Sequence, residues 1–149
     1  MKIAHQVSSS ETVSITIRNR LSELEFVLRN LEQFSEAVQL EPGVRYSARL
    51  VLEELITNVL KYGYSDAEEH IITIRFSRNE EELAIIIEDD SREFNPADRK
   101  IVQHGRRLKE KAKGGQGLRL VRSLVDEMHY VRKRGKNILT IKKKLVPNG

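Results

Sequence analysis

Hydrophobic side chains recur with a helical period in two stretches of the N-terminal half, residues 21–38 and 44–64. The apolar positions at the centre of the second stretch are Val51, Leu52, Leu55, Ile56, Val59 and Leu60. Spacings of three and four residues place such side chains on one face of an α-helix. We therefore predict two helices separated by a break at residues 41–43, with the second helix ending near Gly63.

Five other stretches have the alternation or the β-branched content of strands, and they are residues 12–18, 70–77, 82–88, 128–134 and 137–145. The stretch 82–88 is apolar on both faces, which predicts a central strand. The lysines of 137–145 predict a strand that is partly solvated or at a sheet edge, and residues 2–7 could pair with the first strand. Helices grouped among antiparallel hairpins predict an α+β fold. We expect a two-layer sandwich, in which about three helices cover one face of a mixed, mostly antiparallel sheet.

Composition narrows the class of protein. A chain of 149 residues is long enough to bury a proper core, and we expect a single domain. It has no cysteine, no apolar run of membrane-spanning length and no secretion signal at its start, so we expect a cytoplasmic protein without membrane attachment. The net charge of +4 permits an acidic partner, but the charges lack the dense clustering of a strong nucleic-acid binder.

A polar stripe runs along the second predicted helix. Glu54, Asn58 and Lys61 follow one another at intervals of four and three residues, so they share a face. A carboxylate, an amide and an ammonium group in line could serve a metal-bound phosphate. The same stripe is also typical of an ordinary solvated helix face with a weak ion pair. This helix alone leaves both interpretations open.

Two further features could serve a nucleotide. Asp89 stands where the predicted central strand meets a loop, and the glycine-rich loop 114–117 opens a predicted third helix. Helix N-termini present free N–H groups and partial positive charge, and glycine lets the backbone approach a phosphate. A strand-end Asp is also a common turn residue, and glycines make ordinary turns. Residues 98–113 are rich in charge and predict a mobile or weakly helical flap.

The order and spacing of these features resemble the GHKL ATPase superfamily, and closely its branch of bacterial anti-sigma factors that are serine-protein kinases. The N box of that family, Glu-x-x-x-Asn-x-x-Lys, is matched by residues 54–61, and its G1 box by residues 89–96. The G2 box, Gly-Gly-x-Gly-[Leu/Ile]-x-Leu-Val, is matched by residues 114–121. Residues 126–130 and 135–140 are similar to the end of the family's pattern, so the resemblance extends over most of the chain.

The resemblance implies a Bergerat-type ATP-binding fold and a role for each motif residue. Asn58 would hold Mg²⁺ through its amide oxygen, and Glu54 would act as general base towards the attacking nucleophile. Glu53 is the competing carboxylate, although it breaks the four-residue spacing. Lys61 would neutralise phosphate charge, and Asp89 would accept a hydrogen bond from the adenine amino group. The other residues implied to bind the nucleotide are Ser91, Phe94, Gly114, Gly115, Gln116, Gly117 and Leu118.

The function that the resemblance implies is a regulatory kinase, which uses ATP and Mg²⁺ to phosphorylate a serine of an anti-anti-sigma partner of the STAS type. It would also sequester a sigma factor, form a homodimer and close the flap 98–113 over the triphosphate as a lid. The alternative is a non-catalytic nucleotide-binding module of the same fold. Ser91 and Glu93 favour that alternative, because they stand where the G1 box has glycine and a second small residue.

Two other functions fit the sequence less well. The catalytic domain of a histidine kinase would be accompanied by a helical dimerisation segment with a phospho-accepting histidine, and the chain shows no such segment. A DNA-binding protein could use the basic runs 132–134 and 142–144. Lysines on strands commonly protect a sheet edge instead, so we expect no direct contact with nucleic acid.

Overall fold

The order of the elements is the predicted one. A computed structural model describes residues 11–97 and 109–145, with side chains described from residue 117 onward in the second range. The strands are β1 (Glu11–Arg18), β2 (Ile71–Arg78), β3 (Glu82–Asp89), β4 (Glu127–Lys133) and β5 (Lys136–Lys144). The helices are a 3₁₀ turn (Leu21–Glu23), α1 (Leu24–Ala37), α2 (Pro42–Tyr62) and α3 (Lys109–Leu124). The predicted pairing of residues 2–7 and the part of the flap from 98 to 108 lie outside the described residues.

The strands form one five-stranded sheet in the order β1-β2-β3-β5-β4. Every pairing between the described strands is antiparallel, so no parallel pair is present among them. β3 is central, as its two apolar faces predicted. β5 lies inside the sheet and is solvated on one face, which confirms the first of the two alternatives for that strand. The β3–β5 register places Asp89 opposite Asn137, so two polar residues meet at one end of the sheet.

The helices cover one face of this sheet and bury its apolar side. The sheet contributes Val13, Ile15, Ile17, Ile72, Ile74, Phe76, Leu83, Ile85, Ile87, Leu139 and Ile141 to the core. The helices contribute Val27, Leu28, Leu31, Phe34, Val44, Ala48, Val51, Leu52, Leu55, Ile56, Leu118 and Val121. The ring centroids of Phe34 and Phe76 are 5.7 Å apart, within the range of favourable aromatic pairs. The predicted two-layer α+β sandwich is confirmed. In the part of the chain that the structure describes, no helix is long and apolar enough to cross a membrane.

The glycine-rich sequence differs from its prediction. We predicted a loop at residues 114–117 that opens a helix, but α3 already begins at Lys109 and runs through these glycines. The physical reason is the sequence Lys-Glu-Lys-Ala-Lys at residues 109–113, because these residue types are strong helix formers. Each glycine weakens a helix by only about 1 kcal/mol relative to alanine. The last five residues of the predicted flap are therefore helical, and the glycines lie in the middle of a helix.

Candidate functional site

The polar stripe of α2 forms the first part of the candidate site. Asn58 Nδ2 donates a hydrogen bond to Glu54 Oε2 at 3.3 Å, one helical turn away. Both side chains are half-buried, whereas Lys61 is exposed in the last turn of the helix. We call Glu54, Asn58 and Lys61 the α2 polar face. The competing carboxylate, Glu53, is exposed, so the geometry favours Glu54 as the carboxylate that could act inside a site.

The environment of Glu54 changes its proton affinity. Burial raises the pKa of the Glu54 carboxyl above its usual range, and the negative charge of Glu53 adds to the rise. The hydrogen bond from Asn58 and the positive charge of Lys61 oppose it. A carboxylate with a raised pKa is a stronger base than a solvated one, so this side chain is suited to accept a proton.

The backbone of α3 lies directly against this carboxylate. A Cβ atom added at Gly117 would lie 2.0 Å from Glu54 Oε2 and 2.2 Å from its Cδ. No side chain can occupy that space while Glu54 keeps its position, so the close approach requires glycine at residue 117. The next residue, Leu118, is 3 % exposed and belongs to the hydrophobic core. The contact therefore places Gly117, the last glycine of the glycine-rich sequence 114–117, next to the α2 polar face.

Asp89, the last residue of β3, forms the second part of the site. Its side chain is buried, and its Oδ1 accepts hydrogen bonds from the Ser91 backbone N–H at 3.0 Å and from Ser91 Oγ at 2.6 Å. A third hydrogen bond reaches the same oxygen from Asn137 Nδ2 at 3.0 Å. No donor among the described residues reaches Oδ2. One carboxylate oxygen is therefore saturated, and the other is left to accept a hydrogen bond from a ligand.

Asn137 is itself held in one orientation. Its Nδ2 also donates to the Arg92 backbone oxygen at 3.0 Å. Its Oδ1 accepts hydrogen bonds from the Tyr130 hydroxyl and from Arg132 at 2.9 Å. Because two donors face the amide oxygen and several acceptors face the amide nitrogen, the amide cannot be reversed without losing these bonds. We call Asp89, Ser91, Tyr130, Arg132 and Asn137 the strand-end network.

Three members of this network had no role in the sequence-based prediction. Tyr130 and Asn137 fall within the stretches 126–130 and 135–140 that resemble the family's pattern, but the resemblance implied no role for either residue. Arg132 was considered in a basic run for DNA, whereas in the structure it donates to the Ser91 backbone oxygen at 2.8 Å. A signal for Asn137 was present in the sequence, because it is a polar residue on the inward face that Leu139 and Ile141 continue.

The end of α2 joins the two parts of the site. The backbone N–H of Arg92 donates to the Gly63 carbonyl at 3.0 Å. A Cβ atom added at Gly63 would lie 2.7 Å from the Ser91 Cβ, so the helix end and the segment after β3 are in direct contact. The same helix touches Gly117 at Glu54. Three segments that are far apart in the chain are thus brought together around one helix.

The remaining predicted site residues have different surroundings. Phe94 is half-buried and packs against the hydrophobic core. Ser91 is buried and uses its hydroxyl within the strand-end network, while Glu93 is exposed. Gly114, Gly115 and Gln116 lie within α3, and their side-chain surroundings are outside the described part of the chain. The structure thus gives Ser91 a specific partner and leaves Glu93 on the surface.

A polar cluster beside Asp89 was not predicted. His70 Nδ1 lies 3.1 Å from Asp90 Oδ2, and its Nε2 lies 3.0 Å from Asp66 Oδ1. The His70 ring stacks on Tyr64 at 4.4 Å, and the Tyr64 hydroxyl donates to Asp90 Oδ1 at 3.1 Å. The hydrogen bonds to Asp90 and then Asp66 raise the pKa of His70. Burial, followed by the charges of Asp89 and Asp90, raises the pKa of Tyr64.

Comparisons with known proteins identify a family and several similar proteins. The family model described as a histidine kinase-like ATPase domain matches residues 17–143. A curated relative, the serine/threonine-protein kinase BtrW of Bordetella bronchiseptica, is 24% identical over 98 residues, which are 66% of this chain and 69% of the relative.

Two solved structures have the same fold. The structure of the RsbU and RsbW domains of Rv1364c from Mycobacterium tuberculosis matches with a TM-score of 0.63 at 12% identity, over 90% of this chain and 32% of that one. The SiaB–SiaC complex from Pseudomonas aeruginosa matches with a TM-score of 0.56 at 16% identity, over 87% of this chain and 88% of that one. The chain thus spans about a third of the first structure and most of the second.

Proposed function

Because the chain belongs to the histidine kinase-like ATPase domain family, we propose that it is an anti-sigma regulatory kinase that uses ATP and Mg²⁺ to phosphorylate a serine of a partner protein. The observation that carries this proposal is the hydrogen bond from Asn58 to Glu54 on one half-buried helix face. It joins a candidate base to a candidate metal ligand. The serine/threonine-protein kinase BtrW, which is similar to this chain, supports the reaction class.

The residues of the α2 polar face fit a magnesium-bound phosphate. Asn58 donates through its amide nitrogen to Glu54, so its amide oxygen is the atom left for a cation. A neutral oxygen is a ligand that Mg²⁺ accepts, and that ion usually keeps several waters and binds nucleotide phosphates at the same time. When bound, it would neutralise charge on the phosphates. Lys61, exposed at the end of the same face, would add a positive charge.

Glu54 is the proposed general base. It would take the proton of the partner's serine hydroxyl while the serine oxygen forms a bond to the γ-phosphorus. The bond between that phosphorus and the oxygen bridging to the β-phosphate breaks, and ADP leaves with the electron pair. Burial raises the pKa of Glu54, which strengthens it as a base at neutral pH.

Asp89 is the proposed adenine-binding residue. Its Oδ2 would accept a hydrogen bond from the adenine amino group, because its Oδ1 already has three donors. Phe94 and Ser91 would lie near the base, and the glycines of 114–117 near the phosphates. In the structure those glycines are inside α3, where backbone N–H groups bond to carbonyls of the preceding turn. Phosphate binding through them would require α3 to begin later in the sequence.

The proposed partners are an anti-anti-sigma protein of the STAS type, as phosphate acceptor, and a sigma factor that competes with it. A second copy of the chain, in a homodimer, is also proposed. Support for a protein partner comes from the similar fold in a solved complex of two proteins, SiaB and SiaC. A second similar structure, which contains an RsbW domain, also supports a protein partner.

A second candidate function is a nucleotide-binding module without phosphotransfer. The observation that favours it is the α3 backbone at Gly117, which lies against the carboxylate of Glu54. In this arrangement a serine hydroxyl has no free approach to that side of the base. The two functions share the nucleotide site and differ in whether the Glu54 carboxylate becomes accessible to a serine hydroxyl when ATP and the partner are bound.

Calorimetry tests the shared part of both functions. We expect the parent protein to bind ADP and ATP in a magnesium-dependent manner, and Asn58→Ala to weaken magnesium-dependent binding by about tenfold or more. Thr57→Ala is the matched control, because Thr57 is the neighbouring half-buried polar residue on the same helix and does not belong to the α2 polar face. Absence of nucleotide binding by the parent protein would contradict the proposal.

A further inference from the structure

We propose that Asn137 and Ser91 are positioning residues that restrict Asp89 to one hydrogen-bonding direction and thereby make the site select adenine over 6-oxopurines. The inference rests on the proposed nucleotide site and goes beyond it, because it assigns base selectivity to residues that act through their hydrogen bonds to Asp89. Its starting point is the asymmetry of the Asp89 carboxylate, with three donors on Oδ1 and none from the described residues on Oδ2.

Burial makes this asymmetry persistent. Asp89, Ser91 and Asn137 are 4 %, 4 % and 5 % exposed, respectively. Bulk water therefore has little access to replace a donor that is lost, and an unmade hydrogen bond at a buried charged group is costly. A partial rotation of the Asp89 carboxylate would break bonds to both Ser91 and Asn137, and a half-turn restores an equivalent arrangement because the two oxygens are chemically identical. The carboxylate is thus held with Oδ1 inward and Oδ2 available.

The orientation of the Asn137 amide is fixed from its other side. The Tyr130 hydroxyl and Arg132 both donate to Asn137 Oδ1, which forces Nδ2 to face Asp89. A reversed amide would place its oxygen against the Asp89 carboxylate, and it would place its N–H₂ group against two donors. Asn137 lies directly opposite Asp89 in the β3–β5 register, so the pair is set by the backbone of two interior strands.

The chemistry of the purine ring turns this geometry into selectivity. Adenine carries an amino donor at position 6 and an acceptor at N1. Hypoxanthine and guanine carry an oxygen acceptor at position 6 and a donor at N1. A fixed Oδ2 accepts from the adenine amino group but faces an acceptor in a 6-oxopurine at the same place. A carboxylate that is free to rotate or shift can accept from N1–H instead, so a loosened Asp89 would discriminate less.

The test is calorimetric titration with ADP and with inosine diphosphate, for the parent protein and three variants. We expect the parent to prefer ADP by about 100-fold or more, since a site built around one hydrogen bond rejects an analogue that lacks the donor. In Asn137→Ala the ratio of the two dissociation constants should fall by about tenfold or more, as expected for losing a hydrogen bond to a charged group. Ser91→Gly, which restores the glycine of the G1 pattern, should lower the ratio by less because the Asn137 bond remains.

Asn30→Ala is the matched control. Asn30 is also a buried amide, and its Nδ2 donates to the Phe26 carbonyl within α1 at 2.9 Å. A loss of stability would lower the free energy of unfolding of both asparagine variants. The ratio of the dissociation constants for ADP and IDP should change only in Asn137→Ala. If Asn137→Ala does not fold, the test depends on the ratio of the dissociation constants for ADP and IDP in Ser91→Gly. A ratio equal to that of the parent protein overturns the inference.

The outcomes also separate this inference from the proposed function. A parent protein that binds ADP and IDP equally, or an Asn137→Ala variant that keeps the full preference for ADP, overturns the positioning role and leaves nucleotide binding intact. A parent protein that binds neither nucleotide overturns the proposed function and the inference with it. A reduced ratio in Asn137→Ala, with an unchanged ratio in Asn30→Ala, supports both.

Discussion

The two ends of the candidate site are built in opposite ways. The strand-end network lies on two interior strands, and each of its side chains has hydrogen bonds to other members. The α2 polar face has one internal hydrogen bond, from Asn58 to Glu54, and is covered by the backbone of α3 at Gly117. The first end is held by hydrogen bonds among its own side chains, whereas the second is covered by the backbone of a neighbouring helix.

This difference follows from the supporting elements. Residues 82–89 of β3 pair without a gap with residues 137–144 of β5 inside the sheet, so a side chain at this end is held by many backbone bonds. Helix α3 contains three glycines, each of which weakens a helix by about 1 kcal/mol relative to alanine. A rigid end for recognising the base and an adaptable end for the phosphates would let one site select its nucleotide and still respond to it.

The largest effect is expected at the adaptable end, from Glu54→Gln. Removing a general base typically lowers the rate by about 10²–10⁴-fold, and we expect a loss of that size in transfer of labelled γ-phosphate to a purified STAS-type protein from the same organism. ADP binding should be retained. Glu53→Gln is the matched control, because Glu53 is the exposed neighbour. Equal losses in the two variants would argue against Glu54 as the base.

The same variant has a predicted effect on stability. Because burial raises the pKa of Glu54, the protonated form is favoured in the folded protein. The stabilisation from this group is complete below the unfolded pKa and is lost as pH rises through the folded pKa. At neutral pH Glu54→Gln should therefore unfold at no lower a temperature than the parent, and any advantage should disappear towards pH 4. A clear loss of stability at pH 7 would contradict this.

The next effect tests the rigid end. Asn137→Ala leaves donors and acceptors of Asp89, Tyr130 and Arg132 without their partner, and an unsatisfied buried polar group costs about 1–3 kcal/mol. We expect a decrease of about 2 kcal/mol in the free energy of unfolding, measured by urea denaturation. Asn30→Ala removes one hydrogen bond and should cost less. Equal costs would mean that the network is no better supported than an ordinary buried amide.

Gly117→Ala is expected to change stability less than Asn137→Ala does, and to affect phosphotransfer more than stability. The new methyl group would overlap the Glu54 carboxylate, which is the end of a flexible side chain and can move away. The gain in helix propensity is about 1 kcal/mol, so the melting temperature should stay near that of the parent. Displacing Glu54 also breaks its bond with Asn58, so phosphotransfer should fall by about tenfold or more.

The control for Gly117→Ala is Gly43→Ala. Gly43 lies in the first turn of α2, and a Cβ atom there would meet nothing within 4 Å. This variant should keep both stability and phosphotransfer. A Gly117→Ala protein with full activity would show that the contact between α3 and Glu54 has no role in the active arrangement.

The smallest effect concerns the pH dependence of stability near the strand-end network. The pKa of His70 is raised by Asp90 and Asp66, so its stabilisation is complete below pH 6.5 and is lost as pH rises through the folded pKa. His70→Gln should flatten the stability–pH curve above pH 6.5. His129→Gln, which changes an exposed histidine beside Glu127, is the control, and an equal flattening there would contradict the assignment.

The sequence alone determined the features that depend on local spacing. Helix and strand periods are properties of neighbouring residues, so the order of elements and the layered α+β architecture could be predicted from them. The shared face of Glu54, Asn58 and Lys61 is also local, because it needs only 3.6 residues per turn. The resemblance to a known family added the order of the three motifs, and the family match over residues 17–143 agrees with it.

Tertiary structure decided what depends on register and contact between distant segments. Asn137 meets Asp89 across 48 residues of sequence, and a shift of one residue in the β3–β5 pairing would point the two side chains to opposite faces. The extent of α3 through its glycines was decided by a balance of helix-forming neighbours and packing, which no motif states. The strand-end network was thus fixed by the pairing of β3 with β5. The covering of Glu54 was decided by the close approach of α3 to α2.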